Sequence, residues 1–182
     1  NGDVEDLFQA ELYLISPITE AGRFLRKEYF LTSQQRDIER QILKGIRQKH
    51  TGYYWFIGLP GTGKTLLLYD LAMKLSGRQK VCLIHCGRAG KEWRILHERL
   101  WRIDYLSDEQ IHENKDLSEY NGVLIDEAHL LSEENLQMIL QACGQQPVIF
   151  SGDCEDMISQ EEFDRSTVKA MRHLPEMQTY HL

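Results

Sequence analysis

Short apolar runs alternate with amphipathic stretches along most of this chain. Four of the runs are continuously apolar, which is typical of strands that are buried on both faces of a parallel sheet. They lie at residues 53–57, 81–84, 123–125 and 147–150. Between them, apolar side chains recur at helical spacing. This alternation predicts an α/β domain of three layers, with a mainly parallel sheet flanked by helices on both faces.

The stretches around the strands predict the helices. We expect helices at about 33–49, 64–75, 90–102, 133–142, 154–159 and 161–173, and a short helix or helix–strand entry at 3–14. Thr32 or Ser33 caps the first of these and Ser132 caps the fourth. Residues 104–118 are polar and acidic and predict a loop or a short helix capped by Ser107. Trp93 and Trp101 lie at helical spacing and are expected in the core; a base-stacking platform is the alternative.

The segment Gly58–Thr65 matches the pattern G-x-x-x-x-G-K-[ST] at every fixed position, and it lies between a predicted strand and a predicted helix. Its glycines allow positive φ and close approach of the backbone, so that successive N–H groups can converge on phosphate oxygens. The positive end of the following helix points to the same place. We expect Lys64 to contact the β- and γ-phosphates and the Thr65 hydroxyl to hold Mg²⁺. The predicted nucleotide-binding residues of this loop are Gly58, Gly61, Thr62, Gly63, Lys64 and Thr65.

Two adjacent carboxylates, Asp126 and Glu127, follow the predicted strand at 123–125. Acidic residues are seldom found at the end of a core strand without a partner, and the carboxyl ends of parallel strands line the ligand crevice. Asp126 is therefore expected to join Thr65 at the magnesium ion. Glu127 is assigned to the attacking water and Lys64 to charge neutralisation, the two tasks of phosphoryl transfer. A helix-capping pair of acids is the simpler alternative.

Composition narrows the class of protein. At 182 residues the chain is about one domain, and its 42% apolar and 27% charged content is ordinary for a globular protein. No stretch approaches the roughly 18 apolar residues of a membrane span, so no membrane partner is expected. Cys82, Cys86, Cys143 and Cys154 lie in or beside apolar runs. Cys82 and Cys86 with His85 between them could suggest a metal, but buried thiols in a cytoplasmic protein are favoured.

The charge is unevenly distributed. The net charge of −7 gives no overall indication of nucleic-acid binding, yet residues 23–49 hold eight Lys and Arg against three acids. Residues 103–135 show the reverse, with ten acids against one Lys. The basic stretch is either a solvated helix face or a surface for phosphates. Because the chain does not begin with Met, we expect it to be a piece of a longer protein.

Two further segments resemble the motifs of superfamily 1 DNA and RNA helicases. Residues 31–38 resemble the glutamine motif of that family, in which a Gln, here Gln35, reads the adenine edge. Residues 148–153 resemble the third motif, a strand that ends in Gly-Asp, and there Asp153 would sense the γ-phosphate. The Gln that usually follows this Asp is missing within the next three residues. Residues 84–93 loosely resemble the segment that touches single strands in the family.

The chain thus looks like the first motor domain, a RecA-like P-loop NTPase domain, of a superfamily 1-type helicase or of a related schlafen-type ATPase. The resemblance implies an N-terminal extension at 1–30, an ATPase domain at 31–182, and weak Mg²⁺-dependent ATP hydrolysis by the isolated domain. It also implies that single-stranded nucleic acid would bind through a longer chain. We expect the second motor domain, which in that family supplies the arginine finger, to lie outside these 182 residues. Arg165 and Arg172 come too soon after the fourth predicted strand to replace it.

Two other functional classes stay open on the sequence. The phosphate loop and a sensor strand that ends near Ser151 suit an oligomeric ATPase of the AAA+ or signalling type equally well. The missing Gln after Asp153 suits a nucleotide-gated interaction module with little turnover. The sequence leaves open the oligomeric state and the choice between DNA and RNA.

Overall fold

The computed structural model describes residues 15–17, 20–58, 62–87, 92–112, 114–153 and 167–182, without the side chains of 92–94 and 97. The helices are α1 (Ala21–Leu25), α2 (Ser33–Lys49), α3 (Lys64–Leu75), α4 (Glu92–Arg99), α5 (Glu133–Ala142) and α6 (Thr167–Arg172). The strands are β1 (Tyr53–Gly58), β2 (Val81–His85), β3 (Ile103–Ser107), β4 (Val123–Asp126), β5 (Val148–Asp153) and β6 (Gln178–His181). Short 3-10 helices occupy Asp108–Gln110 and Ala128–Leu130.

The strands form one six-stranded sheet in the order β3-β2-β4-β5-β1-β6. Every pairing between neighbours is parallel. The register aligns Gly58 of β1 with Asp153 of β5, and His85 of β2 with Asp126 of β4, so the carboxyl ends of these four strands meet at one edge. The predicted α/β fold with a parallel sheet is confirmed.

Alternate residues of each central strand supply two separate cores, one on each face of the sheet. In β1, Tyr54 and Phe56 pack with α1, α2 and α3, while Trp55 and Ile57 pack with α5 and α6. The other central strands alternate in the same way. Because both faces are covered, the central strands have no polar face, and this explains their continuous apolar sequence. The three predicted layers are confirmed.

Several predicted element boundaries are confirmed. The Thr32 hydroxyl accepts a hydrogen bond from the Gln35 backbone N–H, and the Gln35 side-chain oxygen accepts one from the Thr32 backbone N–H, which forms a capping box at the start of α2. Ser132 caps α5 through the Asn135 N–H. The expected buried face of α2 is also present, with Ile38 and Ile42 in the core.

Both edge strands, β3 and β6, were missed by the sequence prediction. Residues 104–107 were predicted as a loop or a short helix and residue 103 was assigned to no element, but all five pair with β2 in parallel. Only Ile103 and Tyr105 of this strand are fully buried, while Asp104 on the other face is half-buried, pairs with Lys80 at 3.4 Å and accepts the Tyr120 hydroxyl at 2.6 Å. An edge strand with one wet face alternates apolar and polar residues, and this alternation is hard to distinguish from a polar loop. The short helix capped by Ser107 is confirmed as the 3-10 turn that follows.

The prediction that Trp101 lies in the core is wrong. Helix α4 ends at Arg99, and the chain turns through Leu100 into β3, where the Ile103 N–H bonds to the Leu100 carbonyl at 2.9 Å. Trp101 lies in this turn and its side chain is 67% exposed. The side chain of Trp93 and the expected helix at 154–159 lie outside the described residues.

The residues that precede α2 pack onto the same core. Ile15 and Phe24 are buried among the residues of α2 and α3. The expected boundary between an extension at 1–30 and a domain at 31–182 stays a prediction, and the helix expected at 3–14 lies outside the described residues. Over the described part of the chain, no helix is both long and apolar enough to cross a bilayer.

The cysteines of the described part are free thiols. Cys82 and Cys86 are fully buried, while Cys143 is partly buried. Burial raises the pKa of Cys82 to about 12, so that this thiol stays protonated at neutral pH. For these three residues the prediction of buried thiols is confirmed in two cases and holds in part for the third; Cys154 lies outside the described residues.

Candidate functional site

Polar side chains converge at the carboxyl edge of the sheet, where β1, β2, β4 and β5 end. Gly58, Asp126 and Asp153 are the last residues of β1, β4 and β5. Helix α3 starts at the same edge with Lys64. A crevice outside the carboxyl ends of parallel strands, with a helix amino terminus pointing into it, is the usual ligand position in open α/β sheets.

Two glycines of the predicted phosphate loop have separate structural roles. Gly63 has φ of 80°, in the left-handed region that a side chain would disfavour. Gly58 lies within β1, and a Cβ atom there would come 2.5 Å from the Thr62 hydroxyl and 3.1 Å from Leu182. Gly58 is therefore required for close approach, as expected, but the positive φ that was also expected there is not found. Gly61 lies outside the described residues.

Lys64 is a buried cation, with only 6% of its side chain exposed. Its ammonium group lies 3.0 Å from Asp153 Oδ1 and donates to the Gly58 carbonyl at 3.0 Å. Both partners belong to strand ends, so the folded sheet holds the ammonium group at the amino end of α3. An ammonium in this position can form charge-assisted hydrogen bonds to an anion that enters the crevice.

The predicted magnesium ligands Thr65 and Asp126 lie in contact. The Thr65 hydroxyl lies 3.2 Å from both carboxylate oxygens of Asp126. Asp126 is only 1% exposed and also accepts the Glu127 backbone N–H at 3.0 Å. His85 Nδ1 lies 3.4 Å from the same carboxylate. A set of oxygen donors on rigid elements is the set that Mg²⁺ prefers, so these two residues fit the ion.

Glu127 directly follows β4 and adopts the left-handed conformation, with φ of 54° and ψ of 41°. This conformation is uncommon for a residue with a side chain, and it is characteristic of functional sites. Burial, followed by the charge of Asp126, raises the pKa of Glu127 above the usual value for a glutamate. Glu127 is therefore a stronger base than an exposed glutamate, which suits a group that accepts a proton.

His129 connects the ends of β4 and β5. Its Nδ1 accepts the Asp153 backbone N–H at 3.1 Å, so the neutral ring carries its proton on Nε2. That nitrogen lies 3.5 Å from Glu127 Oε2 and 3.4 Å from Asp153 Oδ2. Gly152 permits this packing, because a Cβ atom there would come 3.2 Å from His129 Nδ1. The sequence analysis quoted His129 within its strand-end motif but assigned it no role.

Glu127, His129 and Asp153 could be mistaken for a metal site, because one ligand atom from each lies within 4.8 Å of the others. A metal at His129 Nε2 would have to displace the proton there, while Nδ1 is already an acceptor and cannot take it. The ring would become anionic. The arrangement therefore fits a proton shared toward two carboxylates better than a metal ion.

Gln35 is buried, with 1% of its surface exposed. Its Oε1 accepts the Thr32 N–H at 2.9 Å, and its Nε2 lies 3.3 Å from the Thr62 carbonyl and 3.4 Å from that of Gly63. The structure thus places Gln35 beside the phosphate loop, with its amide directed to the protein backbone. A contact between this amide and adenine stays a prediction.

Long-range folding brings together residues that are far apart in the sequence. Lys64 and Asp153 form one ion pair although 89 positions separate them, and Thr65 meets Asp126 over 61 positions. Strand β6 adds contacts that the sequence did not predict: Gln34 Nε2 donates to the His181 carbonyl, and the Leu182 N–H donates to Ile57, each at 2.8 Å. The base of the phosphate loop therefore packs against the end of β6.

Comparisons with known proteins bear on the fold. No protein-family model matches the chain, and no curated protein matches it. Among solved structures, the Hef helicase domain of Pyrococcus furiosus is similar over 82% of this chain and 40% of its own, with a TM-score of 0.52 and 12% identity. The C-terminal part of the Fun30 ATPase domain is similar over 85% of this chain and 50% of its own, with a TM-score of 0.35 and 14% identity. The UvsW helicase of bacteriophage T4 is similar over 94% of this chain and 55% of its own, with a TM-score of 0.33 and 14% identity.

The Hef similarity is one of fold, since so few residues are identical. The chain spans less than half the length of the Hef helicase domain. The order of parallel strands, the helices on both faces and this similarity together place the chain among α/β domains with the RecA-like fold found in helicase motors.

Proposed function

We propose that this domain binds ATP with Mg²⁺ and hydrolyses it, as the nucleotide-binding half of a motor related to nucleic-acid helicases. One observation carries the proposal: the buried Lys64 ammonium and the Thr65–Asp126 pair meet at the amino end of α3, beside the carboxyl ends of the central strands. An ammonium, a helix amino terminus and an oxygen set for Mg²⁺ are the parts that bind a triphosphate.

The contacts of Lys64 suggest how it would respond to the nucleotide. Its ammonium is now shared between Asp153 and the Gly58 carbonyl. Incoming β- and γ-phosphate oxygens would compete for the same protons, and the Asp153 carboxylate would have to give up part of its contact. Thr65 and Asp126 would hold Mg²⁺, which offsets the negative charge of the phosphates.

Hydrolysis needs a water molecule in line with the γ-phosphorus. Glu127 would orient this water and accept its proton as the oxygen attacks, while the bond between the γ-phosphorus and the β-phosphate oxygen breaks and leaves ADP and phosphate. The raised pKa of Glu127 suits that task. His129 would hold the Glu127 carboxylate through its Nε2 proton, which makes His129 a positioning residue.

Nucleic acid enters the proposal through the wider protein. A transition-state arginine from another domain or subunit contributes roughly 10³–10⁵ in rate, and Arg165 and Arg172 follow the last core strand too closely in the sequence to supply one. We therefore expect slow hydrolysis by this chain alone and weak, salt-sensitive binding of single-stranded DNA or RNA. Turnover at many per second by the chain alone would favour an oligomeric ATPase, in which a neighbouring copy supplies the arginine.

Titration calorimetry with ATP and Mg²⁺ tests the site. We expect Lys64→Ala to weaken binding by about 100-fold or more, because it removes the buried cation that faces the phosphates. Lys80→Ala is the matched control, since Lys80 is exposed and pairs with Asp104 away from the crevice. Equal affinity in Lys64→Ala and the native chain would refute the assignment of this site.

A further inference from the structure

A second site lies beside Trp101, in the turn between α4 and β3. Trp101 is the most exposed of the large apolar side chains in the described part of the chain. The Arg102 guanidinium lies 4.7 Å from the centre of its ring, and an amine of the same group donates to the Gly77 carbonyl. Because Arg102 is fixed between the two, the indole has a supporting contact before any partner arrives. Such preorganisation lowers the entropy cost of binding.

The exposed indole borders a cavity of about 370 Å³. Met73, Leu100 and Ile103 contribute apolar lining to this cavity, and Arg99 and Arg102 contribute charged groups. An apolar depression with arginines beside it can accept a large apolar side chain and, next to that side chain, negatively charged groups. We call this region the Trp101 pocket.

The charge at the Trp101 pocket is opposite to that of the chain as a whole, because its charged lining residues, Arg99 and Arg102, are both cations in a chain with a net charge of −7. Lys74 and Lys80 are paired with carboxylates. Arg78 and Arg99 are exposed, and neither forms an ion pair with another residue of the described ranges. The pocket therefore presents positive charge that has no partner among the described carboxylates, and it complements an acidic ligand.

The Trp101 pocket is remote from the phosphate loop. Helix α3 begins at that loop and reaches the pocket with its last turn, 12 residues later, which corresponds to about 18 Å. The pocket thus lies at the opposite, amino edge of the sheet. An occupant there would leave the nucleotide crevice open.

The shape of the site favours a protein over a nucleic acid. Single strands are held by several stacking side chains along a groove that follows the backbone. Trp101 is the sole aromatic residue among those described as lining this pocket. Trp and Arg are instead the residue types that dominate binding energy between proteins, and here they stand beside an apolar depression.

We propose that the Trp101 pocket docks an acidic protein segment, which inserts one large apolar side chain against Trp101 and Met73 and places carboxylates beside Arg99 and Arg102. The two lining arginines specify the acidic partner, and the apolar lining specifies the anchor. The proposal stands independently of ATP hydrolysis, because it uses no residue of the crevice.

The test uses a phage-displayed library of random twelve-residue peptides, first depleted on the Trp101→Ala protein and then selected on the native chain. We expect the selected peptides to carry Asp or Glu around one Phe, Leu or Trp. A fluorescein-labelled peptide of the selected sequence should then lose about 10-fold or more in affinity with Trp101→Ala and with Arg99→Glu, as measured by anisotropy. Phe30→Ala is the control, since it removes an exposed aromatic ring elsewhere and should leave affinity unchanged.

Two results would overturn the proposal. One is a selection without enrichment of acidic residues around an apolar one, or peptides that bind both variants as well as the native chain. The other is a labelled oligothymidine that binds the native chain more tightly than the peptides do and loses its affinity with Trp101→Ala, which would make the pocket a nucleic-acid surface. Because Trp101 and Arg99 are exposed, thermal unfolding of both variants should match that of the native chain.

Discussion

Helix α3 carries a lysine in a buried charged group at each of its ends, and the two groups differ in how they are satisfied. At its amino end, Lys64 lies near the carboxylates of Asp126, Glu127 and Asp153. In its last turn, Lys74 lies between Glu39 and Asp70. The same helix thus supports one group that faces the crevice and one that lies between α2 and α3, where the Lys74 side chain itself is half-exposed.

The charges of the Lys74 group are paired within the protein. Lys74 lies 3.2 Å from Asp70 and also contacts Glu39, while the Tyr29 hydroxyl donates to Asp70 at 2.5 Å. Burial and the neighbouring Asp70 raise the pKa of Glu39 to about 8. Burial acts in the same direction on Asp70, but hydrogen bonds from Glu39, Tyr29 and Lys74 leave its pKa below the usual value. At neutral pH the group therefore holds one ammonium, one carboxylate and one protonated carboxyl, and its charges balance.

The Lys64 group does not balance in this way. The Lys64 ammonium contacts Asp153, His129 lies near Glu127 and Asp153, and Asp126 lies beside Thr65 and His85, so that three carboxylates accompany one lysine. The excess negative charge remains near the amino end of α3, where a divalent cation would neutralise it. A buried ion pair alone therefore does not identify a functional site. What distinguishes the Lys64 group is uncompensated charge at a sheet edge where a ligand can enter.

Glu127→Gln should have the largest effect on turnover. The amide keeps the size of the side chain but cannot accept the proton of the attacking water, so we expect kcat to fall by about 10²-fold or more with ATP affinity retained. Glu39→Gln makes the same chemical change in the Lys74 group and should leave kcat unchanged. The rate of phosphate release, measured in a longer form of the protein that hydrolyses ATP, gives kcat for both variants. Normal turnover in Glu127→Gln would assign this carboxylate a structural role.

The pH dependence of kcat sharpens the same point. Burial and the charge of Asp126 raise the pKa of Glu127, and only the deprotonated form can accept a proton. The rate should therefore rise with pH through a pKa above that of an ordinary glutamate, and it should level off at higher pH. A pH–rate profile that lacks this limb in Glu127→Gln but keeps it in Glu39→Gln would assign the limb to Glu127.

Asp126→Asn should have the next largest effect, which is a weaker affinity for Mg²⁺. One charge is lost from a carboxylate that contacts Thr65, and we expect the Mg²⁺ concentration needed for half-maximal ATP binding to rise by about 10-fold. Asp104→Asn makes the same change at a half-buried carboxylate of the edge strand β3, away from the crevice, and serves as the control. A titration of Mg²⁺ at fixed ATP measures both. An unchanged midpoint in Asp126→Asn would remove Asp126 from the ion site.

Glu39→Gln should change stability as a function of pH. The native pKa of Glu39, about 8, lies above the value of 4.5 for a free side chain. The folded state thus keeps a proton that the unfolded chain loses, so this contribution to stability is complete below pH 4.5 and is lost as the pH rises through about 8. The amide mimics the protonated form. Between pH 5 and pH 8, urea unfolding should show that the native chain loses on the order of 1–3 kcal/mol more than Glu39→Gln does. Parallel pH profiles would contradict this.

The smallest effect concerns Gln35. An amide offers one donor and one acceptor, which match adenine and mismatch guanine. If Gln35 reads the base, Gln35→Ala should narrow the preference for ATP over GTP by a few-fold. If it only holds Thr32 and the carbonyl of Thr62, as in the structure, affinity for both nucleotides should fall together. Competition binding of the two nucleotides separates these outcomes, and Gln34→Ala controls for the loss of a neighbouring amide.

The central strands and the phosphate loop of this protein could be predicted from the sequence alone. Strands such as β4 are buried on both faces, so they must be apolar throughout, and such runs are visible without a structure. The phosphate loop was also visible, because close backbone packing at Gly58 and positive φ at Gly63 leave few other choices of residue. Thr65 and Asp126 could be paired in advance, since both were expected at the carboxyl edge of the sheet.

The edge strands and the detailed contacts of the site were found only in the folded structure. The edge strands β3 and β6 are held by main-chain pairing to a single neighbour, which demands no particular side chains, and their sequences look like loops. His129 meets the Asp153 backbone across 24 positions, and Gly152 is needed only because that ring packs against it. Trp101 follows a helical period, yet the helix ends two residues earlier and leaves the ring in solvent. Burial on two faces constrains which residues a segment can have. Contact on one side leaves the sequence less constrained, and so the structure of these peripheral segments could not be predicted from it.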